Sequence, residues 1–269
     1  MRKFVYSYAI ALLAVTLLCL SFASCGSGEV ETLYVYNWGE YMADGSEDSL
    51  DVNAAFEEYY FETYGKRVKV NYSTYSSNED MYAKISSGAS TYDVIVPSDY
   101  MIQRMVAEDM LLPLNMELIP NYQFISEDFK GENVYYEDDS DAIYSVPYFY
   151  GMIGVIYNTS IVEEGDEQIG SWDLMWDAQY KGDILQFNNS RDAFGTALYK
   201  LGYDVNDATE EQWREALELL KAQKDLVQGY VMDEIFNKMK SGSAAVAAYY
   251  AGDFFAMYED NEDLAFYYP

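Results

Sequence analysis

The sequence predicts an α/β protein built as two lobes, each a sheet covered by helices. Three observations carry this. From Thr32 to Leu114, strand-like and helix-like patterns alternate in the order β-α-β-α-β-α, which argues a parallel sheet with helices on its faces. From Tyr144 the alternation starts again. The chain has 269 residues, half of them apolar, which is enough to bury two cores of ordinary size. The expected organisation is lobe 1 at residues 32–143, lobe 2 at 144–265, and the start of a return crossover to lobe 1 at 266–269.

The first lobe opens with "TLYVYNWGEY", which alternates through Tyr36 and leaves in Trp38-Gly39-Glu40-Tyr41, a strand with its exit loop. "SLDVNAAFEEYYFETYG" sets Val52, Ala55, Phe56, Tyr59, Tyr60 and Tyr64 at near-helical spacing, with Gly65 as the stop. "RVKVNYSTY" alternates as a strand, and "NEDMYAKISSG" reads as a short helix with Asn78 as N-cap. "YDVIVPS" is the continuous apolar run expected of a buried parallel strand, and "DYMIQRMVAEDML" follows as a helix.

In the second lobe, "IYSVPYFYGMIGVIYN" is a crossover followed by a strand, "SWDLMWDAQYKG" a short helix and turn, and "DILQFNN" a strand. "SRDAFGTALYKLGY" is a helix opened by Asn189 or Ser190 and closed at Gly202. "ATEEQWREALELLKAQKDLV" is a helix with Thr209 as N-cap and acids in its first turn, where the macrodipole favours them. "VMDEIFNKMKSG" is another helix, "SAAVAAYYAGDFFAMYE" a strand, loop and helix, and "DLAFYYP" begins a last strand. Ligands of open α/β sheets bind at the C-terminal ends of strands, which singles out "WGEY", "PSDY" and "YAGD".

Composition narrows the chemistry. There is no histidine, so serine–histidine and cysteine–histidine nucleophiles, histidine bases and the usual zinc sites are excluded. The net charge of −30 repels a phosphate backbone and steers cations inward. With 29 Tyr, the chain is rich in the side chain best suited to a half-wet cleft. Carboxylate-only chemistry of the glycosidase kind stays open, but no acid pair at its separation of about 5–10 Å is assignable. The acidic runs at 135–141 and 258–263 lack the spacing of a calcium loop and read as solvated loops, so no metal and no cofactor is called for.

The N-terminus reads as a targeting segment. Arg2 and Lys3 precede the apolar run Ala9 to Leu20, the length of a signal core and short for a membrane span. Phe22-Ala23-Ser24-Cys25 resembles a bacterial lipobox, which implies cleavage of residues 1–24 and lipidation of Cys25. Residues 25–32 would be a tether. Cys19 leaves with the leader, so the mature chain would have no disulfide.

The segments "LYVYNWGEYM", "YSTYSSNEDMYAKI", "YDVIVPSDYMIQRM", "VPYFYGMIGVIYN", "SWDLMWDAQYKGDILQFNNSRDAFGTALYKLGY" and "VAAYYAGDF" together resemble the spermidine/putrescine-binding proteins of bacterial ABC importers. The resemblance implies a type II periplasmic-binding-protein fold with the ligand held between two lobes. It implies a monomeric receptor that is not an enzyme. That receptor would carry putrescine or spermidine to importer permease subunits, in the periplasm or anchored to the outer face of the cytoplasmic membrane. The family pattern runs on past Pro269 and returns to the first lobe. That implies a C-terminally truncated chain, with weak binding in isolation.

Carried over residue by residue, the resemblance makes Trp38 and Tyr41 aromatic walls and Glu40 an ammonium partner, with Gly39 in place of a hydroxyl residue. Ser98 and Tyr100 match a hydroxyl and an aromatic of the first lobe. Asp192 matches an acid of the second, and Asn189 stands where the spermidine-type pattern has aspartate. Tyr250 and Tyr268 stand at tryptophan positions, and Asp253 matches an aspartate of the putrescine-type pattern. An acid at 253 and none at 189 points to putrescine over spermidine. A same-fold receptor for an amino acid would want an arginine, and the lobe-end loops offer only Arg191, beside Asp192.

Overall fold

The computed structural model describes residues 30–46, 48–130 and 142–269. The expected leader, Cys25 and the acidic run at 135–141 lie outside these residues. The chain divides into two compact units. One holds residues up to Val35 together with Ala43–Tyr72, and the other holds Tyr36–Met42 with Ser73–Pro269.

Strands β1 (Glu31–Trp38), β2 (Val68–Tyr75) and β3 (Val94–Ile95) form a three-stranded sheet in the order β2-β1-β3. Helix α1 (Val52–Tyr64) starts at Asp51, which accepts from the Ala54 amide, and stops at Gly65 with φ 66°. That left-handed stop is the one its glycine predicts. Its expected apolar stripe is not a core face: no residue of α1 is buried, and Phe56, Tyr60 and Tyr64 pack on one another along the helix at 5.9 and 4.9 Å.

In the other unit, α2 (Asn78–Ser86) is capped by Ser77, which accepts from the Asp80 amide. Asn78 is therefore the first helical residue and not the cap, and its buried side chain turns to Ser98 and Tyr100 instead. The expected long buried strand in "YDVIVPS" is only two residues, with Val94 44% exposed. Pro97 has no donor for a ladder, and Ser98 already stands at the N-cap of α3 (Asp99–Ala107).

The second sheet has five strands: β4 (Ile153–Asn158), β5 (Ile184–Phe187), β6 (Val227–Val231), β7 (Val246–Tyr250) and β8 (Leu264–Tyr267). Their order is β6-β5-β7-β4-β8. β5 runs parallel to β6 and β7, while β4 is antiparallel to β7 and β8. Val155, Ile156, Leu185, Phe187, Val246 and Ala247 are buried along these strands, as strands covered on both faces require. Gly154 is demanded by space: a Cβ there would come within 2.5 Å of the Phe266 ring and the Tyr267 carbonyl.

Helices α4 (Ser190–Lys200), α5 (Glu210–Gln223), α6 (Glu234–Lys240) and α7 (Ala251–Asp260) complete this unit. Thr209 and Gln212 form a capping box at α5. A buried network fixes β5 to two helices: Gln186 Nε2 donates to Thr196 Oγ1 and Gln223 Oε1, and Gln223 Nε2 to the Met175 carbonyl. Three expectations are corrected. "SWDLMWDAQY" forms two 3-10 turns, Trp172–Trp176 and Ala178–Tyr180. β6 was not foreseen between its flanking helices. "YAGD" is no loop, because α7 starts at Ala251 directly after Tyr250.

Candidate functional site

Where β5 ends, Asn189 caps α4 by accepting from the Arg191 and Asp192 amides. This turn puts Asp192 on the first helical turn, where burial pushes its carboxyl up to about 6 against the opposing bond from Tyr250. That bond is short: the Tyr250 hydroxyl donates to Asp192 Oδ2 at 2.5 Å. Arg191 lowers the Asp192 pKa through its charge, yet its guanidinium donates to Asn206 Oδ1 at 2.7 Å.

The Tyr100 hydroxyl meets the same turn. It accepts from Asn78 Nδ2 at 2.9 Å and has two acceptors for its single proton, Glu79 Oε1 at 3.2 Å and Asn189 Oδ1 at 3.3 Å. Burial pushes its pKa up. Ser98 accepts from Asn78 Nδ2 at 3.0 Å. Ser190 donates to Glu79 Oε1 at 2.5 Å, while Glu79 Oε2 is buried with no hydrogen-bond partner.

A second set of carboxylates gathers at the ends of β1, β6 and β7. Asp253 is pushed up to about 6 by burial and by the charges of Asp233 and Glu40. Asp233 is raised by burial and by the charges of Glu40 and Glu234, against a lowering effect of the Glu40 backbone amide. Glu40 itself is exposed. No lysine or arginine forms an ion pair with Glu40, Asp233, Asp253 or Asp192 among the described residues.

Tyrosine rings lie between the two sets. Tyr249 is raised first by burial, then by the charges of Asp253, Asp233, Glu234 and Asp192, so it borders both. Tyr249 and Tyr250 have ring centroids 4.9 Å apart, and both pack on Phe187. Tyr41 packs edge-on against Tyr148 and Phe149, and burial, Tyr148 and Asp253 raise its pKa. Trp38 is buried and lies tilted on Tyr75 at 4.7 Å. Tyr268 stands apart: it is exposed and packs edge-on against Phe266. An open cavity of about 460 Å³ is lined by Tyr36, Gly39, Tyr75, Asp80 and Asp233 among others.

Asp192, Tyr250, Tyr100, Asn189 and Ser98 thus form one hydrogen-bonded group through Asn78, while Asp253 acts on Tyr41, and Glu40 on Asp253, only through charge. Sequence reasoning missed Asn78, Glu79 and Asp233. Glu79 reads as an ordinary first-turn acid, and Asp233 falls in a segment taken for continuous helix. The one available signal was that "SNE" opens a helix whose cap is the serine, which leaves the side chains of Asn78 and Glu79 available for other work.

The mixed α/β fold, with carboxylates and tyrosines gathered at the C-terminal ends of its strands, is that of the periplasmic-binding-protein class. The family model of bacterial extracellular solute-binding proteins matches residues 53–269, and the chain belongs to that family. A spermidine/putrescine-binding periplasmic protein of Salmonella typhimurium is 30% identical over 259 residues, 96% of this chain and 69% of its own length. Its counterpart in Escherichia coli is 31% identical over 245 residues, 91% of this chain and 65% of that protein. The structure of the TpPotD lipoprotein of Treponema pallidum matches with a TM-score of 0.69 at 30% identity, covering 89% of this chain and 70% of that one. The chain spans 69% and 65% of the lengths of the two curated relatives.

Proposed function

We propose that the protein is an extracytoplasmic receptor that binds putrescine or spermidine and delivers it to an ABC importer, without catalysis. One observation carries this: two sets of carboxylates with no lysine or arginine ion pair among the described residues border a pair of packed tyrosines, Tyr249 and Tyr250, whose rings lie tilted at 57° and 4.9 Å apart. A polyamine is the complement of that pattern, an apolar chain with ammonium groups at fixed intervals. Carboxylates half withdrawn from water are costly until a cation joins them. Each ammonium set over a tyrosine ring adds roughly 0.5–2 kcal/mol. The names of the relatives, which specify spermidine and putrescine, support the same ligand class.

The site residues are Trp38, Glu40, Tyr41, Ser98, Tyr100, Asn189, Asp192, Tyr250, Asp253 and Tyr268, with lobes at 32–143 and 144–265 closing on the ligand. Differential contact with the closed state would drive that closure. Lipidation of Cys25 would hold the receptor at the membrane. The test is a thermal-shift panel of putrescine, spermidine, maltose and glutamate. A rise in Tm with the polyamines alone supports the proposal, and a rise only with sugar or amino acid overturns it.

A further inference from the structure

We infer that Lys66 and Arg67, with Phe61 and Tyr64 at the end of α1, form a docking face for an anionic lipid bilayer. The inference rests on lipidation of Cys25 and goes beyond it, and it does not depend on which ligand the receptor carries.

The length of the tether brings this face to the membrane. Strand β1 begins at Glu31, which is 31 − 25 = 6 residues after Cys25. Six extended residues reach about 20 Å at most. A lipid on Cys25 therefore holds the start of β1 within that distance of the headgroups. The Glu31 amide donates to the Arg67 carbonyl at 3.1 Å, so the tether meets the fold beside Lys66-Arg67-Val68-Lys69. The sequence holds 16 Lys and Arg against 46 Asp and Glu, and only here do three cations fall within four residues. All three are exposed. A chain with a net charge of −30 is repelled by an anionic surface unless it presents such a patch to it.

The surroundings of the patch suit a headgroup layer. Lys69 is paired with Glu57 at 3.0 Å. Lys66 and Arg67 have no ion pair among the described residues, neither with Glu62, the acid nearest in sequence, nor with Glu31. The Arg67 guanidinium lies over the Phe61 ring at 4.5 Å. Phe61 is 42% exposed and Tyr64 59%, and residues three apart share a helix face. Tyrosine is enriched where a bilayer meets water, and a guanidinium pairs bidentately with phosphate. Each Lys or Arg near an anionic surface is worth about fivefold in affinity.

The test couples the mature chain through Cys25 to a maleimide lipid, in vesicles of phosphatidylcholine alone or mixed with phosphatidylglycerol. Acetylation of lysines is read by mass spectrometry, with the exposed Lys224 as reference. On the mixed vesicles at low salt, labelling of Lys66 should fall by about fivefold or more relative to Lys224. It should recover at 1 M salt, where the Debye length is about 3 Å. Arg67→Gln should lose most of this protection with an unchanged thermal melt. Equal labelling of Lys66 on the two kinds of vesicle overturns the inference, as does protection that Arg67→Gln leaves intact. Cys25 found without lipid in the membrane fraction overturns the anchor on which the inference rests, a failure that the coupled vesicles cannot produce.

Discussion

Asp192→Asn should make the protein more stable and less able to bind. The folded environment raises the Asp192 carboxyl from 3.8 to about 6, chiefly by burial, which corresponds to about 3 kcal/mol held against its ionised form at neutral pH. Asparagine removes that charge and keeps an oxygen for the Tyr250 hydroxyl. The weaker neutral bond gives back roughly 1 kcal/mol. The net gain is about 1–3 kcal/mol, or some 2–4 °C in Tm per kcal/mol for a chain of this size. Against this, removing one partner of a buried charge pair costs about 2–5 kcal/mol of binding, at least ~30-fold in Kd. The assay is a thermal melt with and without putrescine. A higher Tm without ligand and a lost ligand response are expected together. A lower ligand-free Tm, or an undiminished response to putrescine, would refute the reasoning.

Acidification should act in opposite senses on binding and on ligand-free stability. Asp192 and Asp253 both sit at about 6 in the folded state, above their unfolded value. Their protonation therefore favours the ligand-free fold fully below about pH 4, and that stability is lost as pH rises through about 6. Polyamine affinity, which needs both ionised, should fall as pH drops through 6, and titrations at pH 5 and 7.5 would check both trends. Tyr100→Phe removes the hydroxyl that joins Asn78, Glu79 and Asn189, and should cost roughly 1–3 kcal/mol by leaving buried polar groups unpaired, read by denaturant midpoint. Gly154→Ala, whose Cβ has no room beside Phe266 and Tyr267, should destabilise by about 1–3 kcal/mol. An unchanged melt there would show that β8 is free to shift.

Much of the fold was legible because caps and alternation are local. Gly65, Thr209 and Asn189 end or begin their helices as their residue types predict. The motif residues Asp192 and Tyr250, 58 positions apart, come together in one hydrogen bond. What escaped is non-local. The strand Val227–Val231 is five residues with Gly229 at its centre, too short and too weak in β propensity to stand out between two strong helical patterns. Missing it made Asp233 a first-turn helix acid, when it stands at a strand-to-helix junction and feels the charge of Glu40. Glu79 looked like a solvated first-turn charge because nothing nearby in sequence reveals Ser190, which is 111 positions away. The stripe on α1 shows the converse limit: helical spacing marks an apolar face but does not say what covers it.

The most direct measurement is calorimetric titration of the protein with putrescine and with spermidine. Saturable heat at one ligand per chain is expected, weak for this chain alone and stronger for a full-length version, with a matching rise in Tm. No heat and no thermal shift with either polyamine would contradict the assignment of this site.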